Sequence, residues 1–226
     1  MNPNGVIVAI DGPAGAGKSS VAKAVARQTG MTFVDTGAIY RSLALWAKEQ
    51  KISLSNQEAL ADLTEELPIR FEMSGTGQKV FLESREVTNE IRSPEVSLWA
   101  SEVSQFPKVR DGLLALQRRM GESPTGAVLE GRDIGTVVFP GAQVKIFLTA
   151  DPMERARRRV EQLAEKGTIV SLEEVMQEME DRDKRDQERS TAPLIKADDA
   201  IAIDCTTVSM EEVIAQIVTM VDKARG

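Results

Sequence analysis

The sequence predicts an α/β domain in which a parallel sheet is flanked by helices. Three observations point there. Short apolar runs recur at Val6–Ile10, Thr32–Val34, Val128–Glu130, Val144–Thr149 and Ala200–Asp204. Amphipathic stretches of helical period separate several of them, and a glycine-rich loop, Gly12–Gly17, sits at the first strand-to-helix junction. With 226 residues the chain is long enough to bury a substantial core.

Val6–Ile10 reads as a buried strand that the glycine-rich loop ends. Ser19–Gln28 follows as a helix, with Val21, Ala22, Val25 and Ala26 on one face and Gly30 as its stop. Thr32–Val34 is a second strand closing on Asp35, and Ala38–Gln50 a helix with Leu43, Ala44 and Ala47 inward. From about residue 53 to 91 the texture changes. Ile69–Met73 and Lys79–Leu82 are strand-like, the turn signal Ser74-Gly75-Thr76-Gly77 lies between them, and Glu86–Thr88 is a further candidate. The expectation is a small, mostly β insertion over about 62–92. Ser93-Pro94 starts one helix, and Pro107–Met120 carries Val109, Leu113, Leu116 and Met120 along the face of another. Val128–Glu130 and Val144–Thr149 return to strand character. Asp151-Pro152-Met153-Glu154 is a helix start, and Ser171–Glu174 and Ser209–Glu212 have capping-box spacing. A last strand, Ala200–Asp204, precedes a closing helix striped by Met210, Val213, Ile214, Ile217, Val218 and Val221. No internal repeat is present.

Composition narrows the chemistry. Asp and Glu number 35 against 28 Lys and Arg, a net charge of −7, which argues against a broad electrostatic grip on nucleic acid. With no histidine and one cysteine, Cys205, zinc clusters, histidine acid–base catalysis and a disulfide framework fall away. Cys205 reads as a partly buried spectator thiol. The apolar runs are too short to span a membrane, and the start MNPNG lacks the charged region of a signal peptide. The expectation is a cytoplasmic monomer with neither nucleic-acid nor membrane partner.

Gly12-Pro13-Ala14-Gly15-Ala16-Gly17-Lys18-Ser19 matches GxxxxGK[ST] between a strand and a helix. Glycines let such a loop turn its amides onto phosphate oxygens at a helix N-terminus. Lys18 is expected on the β- and γ-phosphates and Ser19 on Mg²⁺, with Ser20 closing the ATP-binding stretch. The fold class is therefore a P-loop NTPase core. A phosphotransferase must also neutralise a second phosphorylated substrate and exclude water, which calls for arginines outside the loop and a lid. Arg41 follows Asp35-Thr36-Gly37-Ala38-Ile39-Tyr40, and Arg132-Asp133 follows Glu130-Gly131, both at strand exits. Arg155, Arg157, Arg158 and Arg159 head one helix. Arg182, Asp186 and Arg189 share a face of the next, so 155–190 reads as a short helical lid with a flexible tip at Glu165–Ile169.

These stretches together resemble the bacterial cytidylate kinases, which are nucleoside monophosphate kinases, over essentially the whole chain. The resemblance is carried by IDGPAGAGKSS, DTGAIYR, EIRSPEVSLWASEVSQFPKVR, EGRDIGTVVFPGAQVKIFLTA, ERARRR and DRDKRDQER. It implies one kinase domain over 1–226, with a monophosphate-binding region at 36–105. It implies transfer of the ATP γ-phosphate to CMP or dCMP, in pyrimidine nucleotide metabolism, with Mg²⁺. Arg41 and Arg132 would hold the acceptor phosphate, with Thr36 close to the acceptor. Ser101, Arg110 and Asp133 would read cytosine, Arg182 and Asp186 the sugar, and Arg189 the phosphates being joined. Arg158 would be the lid arginine on ATP. Lys18, Arg132, Arg158 and Arg189 are thus the expected catalytic set. Two positions depart from the family pattern: Glu130 stands where the leading acid is often aspartate, expected to organise Mg²⁺ or its waters, and Thr36 where serine is common. The rival expectation is a nucleotide-gated regulatory or RNA-associated NTPase, which would hydrolyse ATP without an acceptor.

Overall fold

The structure is a computed structural model that describes residues 5–74, 77–165 and 167–226. Met1–Asn4, Gly75 and Thr76 of the expected turn, and Lys166 of the expected tip lie outside the described residues. The chain forms two compact units, residues 1–34 with 121–226, and residues 35–120.

The first unit is built on β1 (Ile7–Asp11), β2 (Thr32–Asp35), β6 (Ala127–Glu130), β7 (Val144–Thr149) and β8 (Ile201–Asp204), in the order β2-β6-β1-β7-β8. The β1–β6, β1–β7 and β7–β8 pairs are parallel. Their registers set Ile10 beside Glu130, Asp11 beside Phe147 and Thr149 beside Asp204, so the carboxyl ends share one edge. The near-continuous apolar character of β1 and β7 suits strands covered on both faces. Helices α1 (Lys18–Thr29) and α8 (Met210–Arg225) pack together on one face. Val21 and Val25 of α1 and Val213, Ile217 and Val221 of α8 bury against Val8, Ile10, Phe33, Ile146 and Leu148. Helices α6 (Pro152–Ala164) and α7 (Leu172–Glu188) form a hairpin joined through Ala156, Leu163, Val175 and Met179.

The caps read from the sequence are in place. Asp151 accepts from Met153 N–H and Glu154 N–H, and Ser171–Glu174 and Ser209–Glu212 both close reciprocal capping boxes. One apolar stretch escaped the periodic patterns: 134–138 forms a single π-type turn after β6. Its opening N–H groups are held by a side chain from β1, a partner that sequence spacing does not reveal.

The second unit holds α2 (Thr36–Glu49), α3 (Gln57–Glu65), α4 (Pro94–Val103) and α5 (Pro107–Gly121), the last reaching the unit's end, with an antiparallel sheet of β3 (Ile69–Ser74), β4 (Gly77–Leu82) and β5 (Arg85–Glu86). The small β insertion is thus present, preceded by α3, which the sequence reading left out. Asn56 caps α3, accepting from Ala59 N–H, and Leu60 is its fully buried anchor. Leu43, Leu60, Val109 and Leu113 form the main helical core, while Val80, Leu82, Val87 and Ile91 pack the sheet against Leu45.

Ile217 is fully buried in the α1–α8 layer. Ile217→Ala should lower the unfolding free energy by about 2–5 kcal/mol in urea titrations, the cost of lost transfer and residual cavity.

Candidate active site

The carboxyl end of β1 leads directly into the Gly12–Ser19 loop. Gly12 has φ +146°, and a Cβ there would fall 2.0 Å from the backbone oxygen of Leu148, so only glycine allows the loop to leave the strand at this angle. Ser19 and Ser20 are exposed in the first turn of α1. Lys18, buried, donates from Nζ to the carbonyl of Pro13 at 2.7 Å. Burial, and next the nearby charge of Arg132, push its ammonium down from the usual lysine range to about 7; Glu130 opposes that, and Arg182 adds to it. Lys18, Arg132 and Arg182 therefore act on one another as neighbouring cations.

A chain of alternating charges lies beside them. Arg132 donates from Nε to Asp186 Oδ2 at 2.8 Å and from Nη1 to the carbonyl of Gly131 at 3.2 Å. Arg189, the residue that ends α7, lies 3.6 Å from Asp186 Oδ1 through Nη1 and 3.5 Å from Asp133 Oδ1 through Nη2. Its Nε donates to the carbonyl of Ala192 at 2.6 Å. Burial would raise the Asp186 carboxyl, but Arg132, Arg182 and Arg189 outweigh it and hold the group below the usual carboxylate range. For Arg132 the balance is similar: burial works against the charge, and Asp186 more than restores it.

The Arg132-Asp133 segment is fixed from β1. Asp11, buried at the end of that strand, accepts from Ile134 N–H and Gly135 N–H at 2.8 Å each. Desolvation pushes its carboxyl up to about 6, against the two amides, which favour the anion. Glu130, at the end of β6, is buried as well. Among the described residues no group of three or more His, Cys, Asp or Glu could hold a metal ion. An exposed Ser19 hydroxyl and a buried Glu130 carboxylate nevertheless are hard oxygen donors that fit a Mg²⁺ completed by water and substrate phosphates.

In the second unit, Asp35 caps α2 by accepting from Ala38 N–H at 2.9 Å, and its other oxygen accepts from Arg41 Nη2 at 2.8 Å. Thr36 is buried in the first turn. Ser101 and Arg110 are buried together: Arg110 Nη1 donates to the carbonyl of Ser104 at 3.1 Å, and Ser104 Oγ donates to the carbonyl of Ser101 at 3.0 Å. The Arg110 guanidinium also lies over the Tyr40 ring, 5.3 Å from its centre.

Within the first unit, Lys18, Arg132, Asp133, Arg182, Asp186 and Arg189 thus converge; within the second, Ser101 joins Arg110, and Arg41 joins Asp35. Arg158, the expected lid arginine, lies toward the end of β8. Its Nε donates to Glu154 Oε1 at 3.0 Å and its Nη2 to the carbonyl of Cys205 at 2.9 Å, at the end of β8. Arg155, one turn earlier, donates to the carbonyl of Ala14 in the phosphate loop. Asp183 and Asp11 were not named by sequence reasoning, and Arg155 only as one of four arginines heading its helix. The repeated Arg-Asp pairs of α7 gave a hint of Asp183, whereas Asp11 carried no local signal. Burial raises the Cys205 thiol, in keeping with a spectator.

The sequence model of the cytidylate kinase family matches residues 8–223. A cytidylate kinase of Yersinia enterocolitica serotype O:8 / biotype 1B is 47% identical over 217 residues, covering 96% of this chain and 94% of that protein. One from Pelotomaculum thermopropionicum is 47% identical over 219 residues, covering 96% of each. Among solved structures, an uncharacterized protein from Eubacterium ventriosum aligns with a TM-score of 0.53 at 15% identity, over 96% of this chain and 98% of that one, a likeness of fold.

The Asp186 carboxyl titrates lower in the folded chain than in the unfolded one. Its contribution is therefore fully present above pH of about 4 and is lost as pH falls through the folded value. Asp186→Asn should cost about 3 kcal/mol or more at pH 7, by removing the carboxylate that Arg132 and Arg189 share. Urea unfolding from pH 7 to 3 should also show a shallower acid loss in the variant than in the parent chain.

Proposed function

The chain belongs to the cytidylate kinase family, and from that premise we propose that it transfers the γ-phosphate of ATP to CMP or dCMP, forming ADP and CDP or dCDP. The observation that carries the reading is the convergence of Lys18, Arg132 and Arg182, with Arg189 tied to the same carboxylates. So many cations in a buried place suit the combined charge of a triphosphate and a monophosphate. The regulatory or RNA-associated NTPase reading has no comparable support.

The loop from Gly12 to Ser20 takes the ATP phosphates, and Lys18 binds the β- and γ-oxygens. Mg²⁺, held by Ser19 with Glu130 organising it or its waters, supplies charge neutralisation on the phosphates when bound. The acceptor phosphate, held by Arg41 and Arg132 with Thr36 nearby, is anionic near neutral pH. One of its oxygens bonds to the γ-phosphorus as the bond from that phosphorus to the β-bridging oxygen breaks. No proton needs to be removed, so a chain without histidine lacks nothing for the step. Arg132, Arg189 and Lys18 follow the charge as it shifts. Arg182 and Asp186 hold the sugar, and Ser101, Arg110 and Asp133 read the cytosine edge. Arg158, directed at the Cys205 carbonyl, is assigned to ATP as the lid arginine of the 155–190 region. The monophosphate-binding region is 36–105.

The chain is proposed to work as a monomer in the cytoplasm, without nucleic-acid or membrane partners. Val213, Ile214, Ile217 and Val221 of α8 are buried in the chain's own core, and among the described residues no helix is long and apolar enough to cross a membrane.

ADP release from ATP and Mg²⁺ should rise sharply with CMP or dCMP, weakly with UMP, and little with AMP or GMP. Arg110→Met should raise the KM for CMP about tenfold or more, since a polar base edge then meets an unmatched site, and should leave the KM for ATP near its parent value. ADP release indifferent to every monophosphate would overturn the assignment.

A further inference from the structure

The tip of the phosphate loop is held from outside. Both backbone polar groups of Ala14 are taken by side chains from helices far along the chain. Ala14 N–H donates to Asp183 Oδ1 at 3.0 Å, and the Ala14 carbonyl accepts from Arg155 Nη1 at 2.8 Å. The two side chains are themselves paired, Nη1 to Oδ2 at 2.5 Å, and Arg155 Nε donates to the carbonyl of Ala150 just beyond β7 at 3.1 Å. Both residues are buried. Met179, one turn before Asp183, covers the next loop residue: a Cβ on Gly15, where φ is +72°, would fall 2.6 Å from its Cε.

Three glycines leave Gly12–Gly17 little stiffness of its own, so the shape that presents its amides must be imposed by neighbours. The surroundings of Ala14 do so with a buried ion pair joined to both backbone polar groups of one residue, and so to two successive peptide groups. The helix that supplies Asp183 also carries Arg182 and Asp186, and Arg189 ends it. Loop shape and arginine placement are thereby tied to one rigid element.

We propose that Asp183 and Arg155 are positioning residues of the phosphate loop, fixing Ala14 so that the remaining amides and Lys18 meet the donor phosphates. The inference rests on the kinase reading only in naming ATP as the donor. An ion pair of purely structural value would lower stability and leave the affinity of folded protein unchanged.

The test is titration calorimetry with ATP and Mg²⁺ in the absence of an acceptor, alongside CMP titrations and thermal melts of the full chain. Asp183→Ala and Arg155→Ala should each weaken ATP binding about tenfold or more, the scale of a hydrogen bond to a charged group, with CMP binding within about twofold of the parent. Asp183→Asn keeps an acceptor for Ala14 N–H but drops the charge facing Arg155, and its loss should lie between the parent chain and Asp183→Ala. ATP affinity unchanged in the alanine variants, or an equal fall in CMP affinity, overturns the proposal. Should Asp183→Ala not fold, Asp183→Asn decides alone: about threefold weaker ATP binding supports the role, and parent affinity rejects it. A parent chain that binds ATP but phosphorylates no CMP would refute the proposed function and leave this inference standing.

Discussion

Cations gathered to meet phosphate must be kept in place, desolvated, before any phosphate arrives. Burying a guanidinium or ammonium without a partner costs several kcal/mol. The first unit resolves this with carboxylates that the charged groups share. Asp186 faces Arg132 on one oxygen and Arg189 on the other, and Asp183 answers Arg155. Lys18, with no carboxylate at contact distance among the described residues, turns its ammonium onto the carbonyl of Pro13 and yields part of its basicity.

The sheet makes that arrangement available. Parallel strands in register deliver Asp11, Glu130 and Ala150 to one edge, where the loop after β1, the turn after β6 and the start of α6 all begin. Asp11 is the link among them. By accepting both amides at the start of the 134–138 turn, it fixes where Arg132 and Asp133 leave β6. Its carboxylate is buried at a cost, since desolvation outweighs two good amide donors. A buried acid in that position is better explained by the geometry it enforces than by the stability it adds.

What could be read from the sequence was what is local. The phosphate loop is defined by eight consecutive residues, the caps by residues three apart, and the Arg182–Asp186–Arg189 face by helical period. Ser101 and Arg110 were named through resemblance, and the structure buries them together through Ser104. The misses have one physical cause. Asp11 bonds to residues more than 120 positions away, and Asp183 to Ala14 across 169. Nothing in the neighbouring sequence encodes those partners. The arginines of α6 show the same limit at shorter range. Arg155 and Arg158 are one turn apart on similar sides of the helix, and only the position of the helix start against the loop decides that Arg155 meets Ala14 while Arg158 reaches β8. Helix α3 was lost for a different reason: with Leu60 and Leu63 as its chief apolar positions in nine residues, its period is too brief to stand out from a loop.

The charge arrangement also explains how phosphoryl transfer can proceed here without an acid–base residue. A nucleophile that is already an anion needs its repulsion from a triphosphate cancelled more than it needs a proton removed. Arginine suits that task because it stays charged through burial, as Arg132 does beside Asp186. Lysine does not. With its ammonium brought down to about 7, Lys18 is the one cation of the cluster whose charge is open to its surroundings, and anionic oxygens favour its protonated form. The arginines therefore form the fixed part of the site, and the oxygens of a bound triphosphate would favour the charged form of Lys18.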